Sequence, residues 1–359
     1  MDTLTAPAPD RRRPRRRGLI ALVAVAGLLV LGVGWGFAHA VSTPRSVATP
    51  LGPAGPQTGI AAQVSGASAR THLEALQRIA DANGGNRASG TPGYRASVDY
   101  VVGVLQRAGF DVRTETFTHT GDGDHDDAAP TTDLNVIAQT RTGDPARVVM
   151  AGAHLDSVPD GPGINDNGTG VAALLETATA MGGSPNTPNA VRFAFWGGEE
   201  LGLYGSTAYV AALPPAQRQQ IAAYVNLDML ASPNPGFFVL GGVGDAGEEA
   251  GPPGSAAVAK VLVEQLAAVG VPAENVRLDG DSDFAAFVEA GIPTGALQSG
   301  DKKRKSGEQA ARWGGQQGEP FDRCYHKACD TIANVDAVAF DRSVDATAAT
   351  VLQLATTRT

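Results

Sequence analysis

Short apolar runs that alternate with helical stretches are the feature of this sequence that most restricts its fold. The runs long enough to form buried strands lie at 134–138, 148–153, 191–196 and 224–227. Apolar residues at helical spacing are found at 171–181, 255–269 and 284–290. Strands that are apolar on both faces and separated by helices are typical of a parallel sheet buried between two layers of helices. The sequence therefore predicts an α/β fold with a mixed, largely parallel central sheet.

The N-terminus carries a basic flank followed by an apolar segment. Six arginines lie between residues 11 and 17, and an uncharged apolar run covers 18–38. Such a run is long enough to cross the roughly 30 Å hydrocarbon core as a helix, with the basic flank on the cytoplasmic side. Ala38-His39-Ala40 fits the small-x-small pattern of a signal peptidase site. Residues 1–40 are therefore expected to be a cleaved signal peptide or a retained anchor, and the protein to be exported, either secreted or held on the outer face of the membrane.

A stretch of small and polar residues joins this segment to the rest of the chain. Residues 41–66 are rich in Pro, Gly, Ala, Thr and Ser and contain little that a core could bury. That composition is typical of a flexible linker. No shift in composition interrupts residues 67–359. We therefore predict one catalytic domain over 67–359.

The charge of the chain argues against one class of partner. The sequence has 28 Lys and Arg against 37 Asp and Glu, a net charge of −9. Residues 1–17 hold six Arg and two Asp, so the rest of the chain carries a net charge of −13. An acidic body is a poor electrostatic match for the phosphate backbone of nucleic acids. We therefore expect no nucleic-acid partner.

The cysteines agree with export. Cys324 and Cys329 are the only two in the sequence, and an oxidising compartment would let them pair. Two unrelated thiols or a metal site are the alternatives. A CxxxxC pair without a second cysteine pair is a poor zinc motif. The sequence favours a disulfide that holds residues 325–328 in place.

Imidazole and carboxylate groups follow the predicted strands or lie in loops beyond them. In an open α/β sheet, ligands bind beyond the carboxyl ends of the strands. These groups are therefore expected to meet at one edge of the sheet. They are His154, Asp156, Asp166, Glu199, Glu200, Asp228 and His326.

This set of donors suits a pair of divalent metal ions. Taken singly, each group also fits a surface pair or a solvated turn. However, Glu199 and Glu200 after a strand repel each other unless a cation compensates, and Asp228 after an apolar strand is costly to bury alone. Two histidines and three carboxylates suit two Zn²⁺ ions that share one carboxylate. Two ions a few ångströms apart are suited to hydrolysis.

Five segments around these groups form a specific pattern. They are HLDS at 154–157, GINDNGTG at 163–170, WGGEELGLYGS at 196–206, NLDM at 226–229 and DRCYHKACD at 322–330. In order and spacing they closely resemble the secreted bacterial zinc aminopeptidases of the M28 peptidase family, of the Streptomyces leucine aminopeptidase type. The resemblance covers roughly residues 68–358. It implies a single three-layer α/β/α domain, monomeric, with two zinc ions per chain, acting on peptides with a free N-terminus.

The resemblance also implies which residues bind the metal ions. His154 and Asp228 would be ligands of one zinc ion. Glu200 and His326 would be ligands of the other. Asp166 would bridge the two ions. The peptide bond after the bridging aspartate, Asp166–Asn167, is expected to be cis.

The catalytic roles follow from the same resemblance. Glu199 would be the general base that takes a proton from the attacking water and passes it to the leaving amine. Asp156 would accept a hydrogen bond from His154 and so select its tautomer. Tyr325 would donate a hydrogen bond to the tetrahedral oxyanion.

Three residues near the expected substrate site are expected to bind the substrate and to affect which N-terminal residue is accepted. Asp281, in Gly-Asp-Ser-Asp, stands where the family often has an arginine, close to where the free amine of the substrate binds. Gln298 stands where similar enzymes carry an aromatic residue that lines the specificity pocket, whereas Met229 is retained. The basic run 302–305 is expected to be a solvated loop, with selection of acidic peptides as the alternative.

A second metal site is possible on the last predicted helix. Asp341 and Asp345 are four residues apart and resemble part of a calcium site in related enzymes. An exposed helix face explains the same spacing equally well.

Other reactions on this scaffold remain alternatives to an aminopeptidase. A carboxypeptidase or a glutaminyl cyclase would keep the metal ligands and change the substrate. A non-catalytic binding ectodomain would be expected to lose metal ligands or the general base, and this sequence has lost neither.

Overall fold

The computed structural model describes most of the chain after the linker, namely residues 51–52, 55, 59–119, 130–242 and 250–357. The predicted signal or anchor segment over 1–40 lies outside the described residues, as does most of the predicted linker over 41–66. The last part of that linker contains a short 3₁₀ helix, Ala61–Gln63, and the buried side chain of Val64. Within the described ranges, no helix combines the length and the apolar character that crossing a membrane requires.

The described residues alternate between helices and strands. The helices are α1 (Gly66–Ala82), α2 (Pro92–Arg107), α3 (Thr169–Met181), α4 (Tyr204–Ala212), α5 (Pro215–Gln220), α6 (Ser255–Ala268), α7 (Phe284–Glu289), α8 (Gly307–Trp313) and α9 (Ala337–Thr356). The strands are β1 (Asp111–His119), β2 (Thr131–Gln139), β3 (Asp144–His154), β4 (Asn189–Trp196), β5 (Ile221–Asp228), β6 (Phe238–Leu240), β7 (Glu274–Val276) and β8 (Thr294–Gln298).

The strands form one mixed sheet. Over the described part of the chain it has eight strands in the order β1-β2-β4-β3-β5-β8-β6-β7. The central pairs β4–β3, β3–β5 and β5–β8 are parallel, whereas β1–β2, β2–β4 and β6–β8 are antiparallel. The predicted mixed, largely parallel sheet is confirmed. Each of the four apolar runs lies in a strand, β2 to β5, and the three predicted helices are α3, α6 and α7.

The apolar runs are continuous because the sheet is covered on both faces. In β4, Val191, Phe193 and Phe195 pack into a core with residues of α1, α2, α3, α6 and α9. The alternate residues Ala194 and Trp196 pack into a second core with residues of α4 and α7. Successive side chains of a strand point to opposite faces, so a strand between two helical layers is apolar throughout.

The parallel centre of the sheet determines where the polar groups lie. Strand β3 ends at His154, which pairs in register with Trp196 at the end of β4. Strand β5 ends at Asp228, which pairs with Gln298 at the end of β8. Because parallel strands end at the same edge, the groups that follow β3, β4 and β5 lie on one side of the molecule.

Candidate metal centre

Three of the predicted ligands form a group around the imidazole of His154. Its Nε2 atom lies 3.2 Å from Oδ1 of Asp166 and 3.5 Å from Oδ1 of Asp228. The three ligand atoms lie within 4.8 Å of one another. We name His154, Asp166 and Asp228 the first group.

A second group forms around His326. Its Nε2 atom lies 3.3 Å from Oδ2 of Asp166 and 3.0 Å from Oε2 of Glu200. We name Asp166, Glu200 and His326 the second group. Asp166 therefore belongs to both groups and turns one carboxylate oxygen towards each imidazole.

The separations in both groups match those of ligands around zinc. Ligand atoms about 2.0–2.1 Å from a tetrahedral Zn²⁺ lie roughly 3.3 Å from one another. The four nitrogen–oxygen distances range from 3.0 to 3.5 Å. Imidazole nitrogen and carboxylate oxygen are also ligands that zinc accepts.

Unpaired oxygen atoms point to a cation in each group. Among the described residues, Oδ1 of Asp228 and Oε1 of Glu200 are buried and have no hydrogen-bond partner. The other oxygen of Asp228, Oδ2, accepts a hydrogen bond of 2.7 Å from Ser282 Oγ, which leaves Oδ1 free towards His154. Buried carboxylate oxygens without a partner are costly, and a divalent cation would compensate that cost.

The charges of the two groups also favour bound cations. Burial lowers the pKa of His326, but Asp166 and Glu200 outweigh burial and raise it to about 10. Burial also lowers the pKa of His154, yet Glu199 and the other carboxylates raise it well above its usual value. Burial and the charge of Asp166 raise the pKa of Glu200 to about 7. The carboxylates outnumber the imidazoles, and two divalent cations would neutralise the excess negative charge.

Glu199 lies beside the first group and faces open space. Its Oε2 is 4.0 Å from Nε2 of His154, and its side chain is 11% exposed. Glu199 lines a cavity of about 400 Å³ that also contacts Asp166, Asp228 and His326. Burial raises the pKa of Glu199 well above the usual range of a carboxyl group.

Asp156 contacts both His154 and the turn that carries Glu199 and Glu200. Nδ1 of His154 lies 3.2 Å from the main-chain oxygen of Asp156 and 3.7 Å from its carboxylate. The carboxylate also accepts hydrogen bonds from the main-chain N–H groups of Glu199 and Glu200, at 3.3 and 3.4 Å. Asp156 thus holds the turn that carries these two glutamates, a contact that sequence reasoning missed.

The predicted disulfide is confirmed. Cys324 and Cys329 are bonded, and the loop between them carries Tyr325 and His326. The Tyr325 ring stacks on that of His326 with centroids 3.8 Å apart and lines the same cavity. Burial, together with the carboxylates around it, raises the pKa of Tyr325 well above its usual value. The phenol therefore keeps its proton and is a hydrogen-bond donor at neutral pH.

Two residues of the site have left-handed backbone conformations. His326 has φ 56° and Met229 has φ 52°, values that non-glycine residues rarely adopt. The main-chain N–H of Met229 donates to Oδ1 of Asn167 at 3.3 Å, and its carbonyl accepts from the N–H of Ser299 at 2.7 Å. The Asp166–Asn167 peptide bond is cis, as the resemblance implied.

The predicted substrate-binding residues line the same cavity. Met229, Gln298 and Asp281 all contact it, together with Asp279, Asp301, Lys302 and Lys303. Residues 302–304 are exposed, as expected for a solvated loop. The expectation is wrong for Lys305, which is buried and donates to the carbonyl oxygens of Pro235 and Gly314 at 2.8 and 2.9 Å. Its ammonium group thus holds the loop to residues 235 and 314.

Asp341 and Asp345 lie away from this cavity, on α9. Oδ1 of Asp341 accepts a hydrogen bond of 2.9 Å from the main-chain N–H of Gly66. In the part of the chain that the structure describes, the two groups around His154 and His326 are the clusters with metal-ligand geometry. The calcium site stays a prediction.

Two further residues support the groups and were not singled out from the sequence. Ser282 holds Asp228, as described above. Asp330 is buried and accepts the main-chain N–H groups of Asn165 and Asp166 at 2.9 and 3.0 Å. Both lie inside segments already noted, Gly-Asp-Ser-Asp and DRCYHKACD, so a buried hydroxyl or carboxylate within a motif was the available signal.

Comparison with known proteins finds similar sequences among peptidases. A model of peptidase family M28 matches residues 135–351. Leupeptin-inactivating enzyme 1 of Streptomyces exfoliatus is 44% identical over 336 residues, which are 93% of this chain and 69% of that protein. The probable lipoprotein aminopeptidase LpqL of Mycobacterium tuberculosis is 38% identical over 80% of this chain and 85% of its own length.

Solved structures show the same fold. A zinc aminopeptidase from Bacillus subtilis superposes with a TM-score of 0.65 and covers 81% of this chain and 96% of its own. The two sequences are 17% identical. At this identity the likeness concerns the architecture of sheet and helices.

Proposed function

This chain belongs to the M28 peptidase family and is a zinc-dependent aminopeptidase, and we propose that it removes the N-terminal residue of peptides outside the cell with two zinc ions. The observation that carries the two-ion centre is the position of Asp166. Its two oxygens face separate imidazoles at 3.2 and 3.3 Å. A carboxylate in that position suits a bridge between two ions.

The proposed ligands divide between the two groups. His154 and Asp228 would hold one ion, and Glu200 and His326 would hold the other. Asp166 would be shared. Export rests on the apolar run at 18–38 and its basic flank, and the enzyme would act as a monomer.

The residues around the ions would then carry out the proton transfers. Bound zinc polarises the scissile carbonyl and makes water a better nucleophile. Glu199 accepts a proton from the attacking water and delivers it to the leaving amine. Tyr325 donates its phenolic proton in a hydrogen bond to the carbonyl oxygen as negative charge develops there.

The charges of the cavity favour a substrate with a free amine. Asp279, Asp281 and Asp301 line it beyond the two groups. Asp301 is partly neutralised, since its Oδ2 lies 3.7 Å from Nζ of Lys303. Asp279 and Asp281 remain to attract the α-ammonium group of a peptide. Lys302 also lines the cavity, with its Nζ 5.5 Å from the centroid of the Tyr325 ring. The carboxylates that line the cavity outnumber its two lysines, which supports binding of an amine over binding of a terminal carboxylate.

Hydrolysis of aminoacyl p-nitroanilides, with and without a chelator, tests the proposal. We expect removal of zinc with 1,10-phenanthroline to lower the rate by at least about 100-fold, because carbonyl and water are both activated by the metal. Added Zn²⁺ should restore the rate. Cleavage that the chelator leaves unchanged would contradict a metal mechanism.

Peptides blocked at one end distinguish the alternative reactions. An aminopeptidase should cleave a peptide amidated at its C-terminus and leave an N-acetylated one intact. A carboxypeptidase would show the reverse preference, and a glutaminyl cyclase would release ammonia from N-terminal glutamine without cleaving the chain. A protein without bound zinc and without turnover would be a binding ectodomain.

Gln298 is the residue we expect to control which N-terminal residue is accepted. It pairs with Asp228 on one side and with Phe238 on the other, and paired side chains of neighbouring strands share a face. Asp228, Gln298 and Phe238 therefore lie side by side across three neighbouring strands. Asp228 belongs to the first group, and Gln298 and Phe238, with Leu240, help to line a second cavity of about 130 Å³. We infer that this second cavity receives the side chain of the N-terminal residue.

Gln298→Phe should therefore narrow the entrance to the second cavity. We expect kcat/KM for methionyl p-nitroanilide to fall about 10-fold or more relative to alanyl p-nitroanilide, because the longer side chain needs the space that the phenyl ring would occupy. Gln217→Phe, on exposed α5, is the matched control and should leave the ratio unchanged. Equal losses for both substrates in Gln298→Phe would place the specificity pocket elsewhere.

A further inference from the structure

Arg87 is a buried cation that the proposed reaction does not use. Its side chain is fully buried, at 0% exposure. Its guanidinium group contacts main-chain carbonyl oxygens in one segment, 155–163. Nε donates to Pro162 at 2.9 Å, Nη2 donates to Gly163 at 2.7 Å, and Nη1 donates to the carbonyl of Leu155.

The main chain of Arg87 holds the same segment. Its N–H donates to Oγ of Ser157 at 2.9 Å, and its carbonyl accepts from the N–H of Ser157 at 3.3 Å. Arg87 therefore makes five hydrogen bonds to residues 155–163. The donors of a guanidinium group lie in one plane at fixed angles, so the carbonyls that they bind are held at fixed separations.

The segment 155–163 connects two members of the first group. It begins directly after His154 and ends three residues before Asp166. Arg87 contacts both of its ends, Leu155 and Gly163. We propose that Arg87 is a positioning residue that keeps the carboxylate of Asp166 at zinc-binding distance from the imidazole of His154.

The charge around Arg87 explains why a cation is tolerated there. A buried guanidinium without a carboxylate in contact is costly. Burial lowers the pKa of Arg87 to about 10, and four carboxylates at longer range oppose that shift. They are Asp156, Asp330, Asp166 and Glu200. Arg87 therefore stays charged at neutral pH, and it also offsets part of the negative charge of the two groups.

Asp330 holds the other side of Asp166. It binds the N–H groups of Asn165 and Asp166, and it follows Cys329 of the disulfide loop that carries His326. Arg87 thus holds the segment that connects His154 to Asp166. Asp330 connects Asp166 to the loop that carries His326. The shared carboxylate is held from both directions.

Zinc affinity is the measurement that tests this inference, which rests on the proposed zinc centre. In Arg87→Gln we expect the dissociation constant of at least one zinc ion to rise about 10- to 100-fold, the usual effect of losing a group that orients a ligand. Competition with a chromophoric chelator measures it. As zinc affinity falls, kcat of Arg87→Gln should fall too. KM should change less than about 3-fold, because Arg87 does not line the cavity. Arg87→Lys, which keeps the charge and up to three donors, should recover part of the affinity.

Arg192→Gln is the matched control. Arg192 is partly buried, and its guanidinium group, like that of Arg87, donates three hydrogen bonds, here to Gln139 and Tyr209. It lies four residues before the end of β4. Its loss should lower the melting temperature and leave zinc affinity unchanged. Wild-type zinc affinity in a folded Arg87→Gln or Arg87→Lys protein would overturn the inference. An equal loss of zinc affinity in Arg192→Gln and in Arg87→Gln would also overturn it. Absence of zinc from the wild-type protein would contradict the proposed function instead.

Discussion

Replacing Glu199 by glutamine is expected to lower kcat by about 100- to 10,000-fold. The amide keeps the shape of the side chain but cannot accept the proton of the attacking water. Glu199 is outside both groups of proposed ligands, with its Oε2 4.0 Å from His154. Zinc content and KM should therefore stay close to those of the wild type.

Steady-state kinetics on leucyl p-nitroanilide and metal analysis of the same samples check this result. Glu289→Gln, at an exposed position at the end of α7, removes one carboxylate charge elsewhere and should keep wild-type kcat. A Glu199→Gln protein with wild-type kcat would remove Glu199 from the proton transfer. A loss of zinc in the same variant would assign it a role in metal binding instead.

Asp166→Ala is expected to cost both zinc ions, whereas His326→Ala should cost one. Asp166 supplies an oxygen to each group, with 3.2 Å to His154 and 3.3 Å to His326. His326 belongs to the second group alone. Each ion has few protein ligands, so losing a shared carboxylate weakens both sites at once. Activity of Asp166→Ala should fall to background.

The number of zinc ions per chain, measured after dialysis against a fixed low zinc concentration, decides between these outcomes. We expect about two in the wild type, about one in His326→Ala and close to none in Asp166→Ala. Circular dichroism establishes that each variant is folded. Two retained ions in a folded Asp166→Ala protein would show that Asp166 does not bridge them.

The core strands could be predicted because burial on both faces leaves a local signature. Strands β2 to β5 read as continuous apolar runs, since each contacts two helical layers. Strands β6 and β7 have three residues each, which is too short for a periodic pattern. Strand β1, at the edge of the sheet, has two apolar residues, Val112 and Phe117, among charged and polar ones, so it lacks the apolar run that revealed the others.

Lys305 shows where reasoning from residue type fails. A run of four basic residues is usually solvated, and three of these four are exposed. The fourth is buried because the loop returns to the core and offers two carbonyl oxygens to its ammonium group. Whether acceptors are available depends on segments distant in sequence, such as Pro235.

The family and the candidate site residues could be identified from the sequence alone. The histidine and carboxylates that follow β3, β4 and β5 and the two cysteines are local properties of the chain. The resemblance of the segments that contain them to the M28 aminopeptidases indicated a zinc hydrolase of that family. Only the tertiary structure decided how these parts are held. Arg87 lies 76 residues from Gly163 and Asp330 lies 164 residues from Asp166. Such pairs meet because helices and loops pack together, and no spacing along the chain encodes which carbonyl or amide a buried charge will contact.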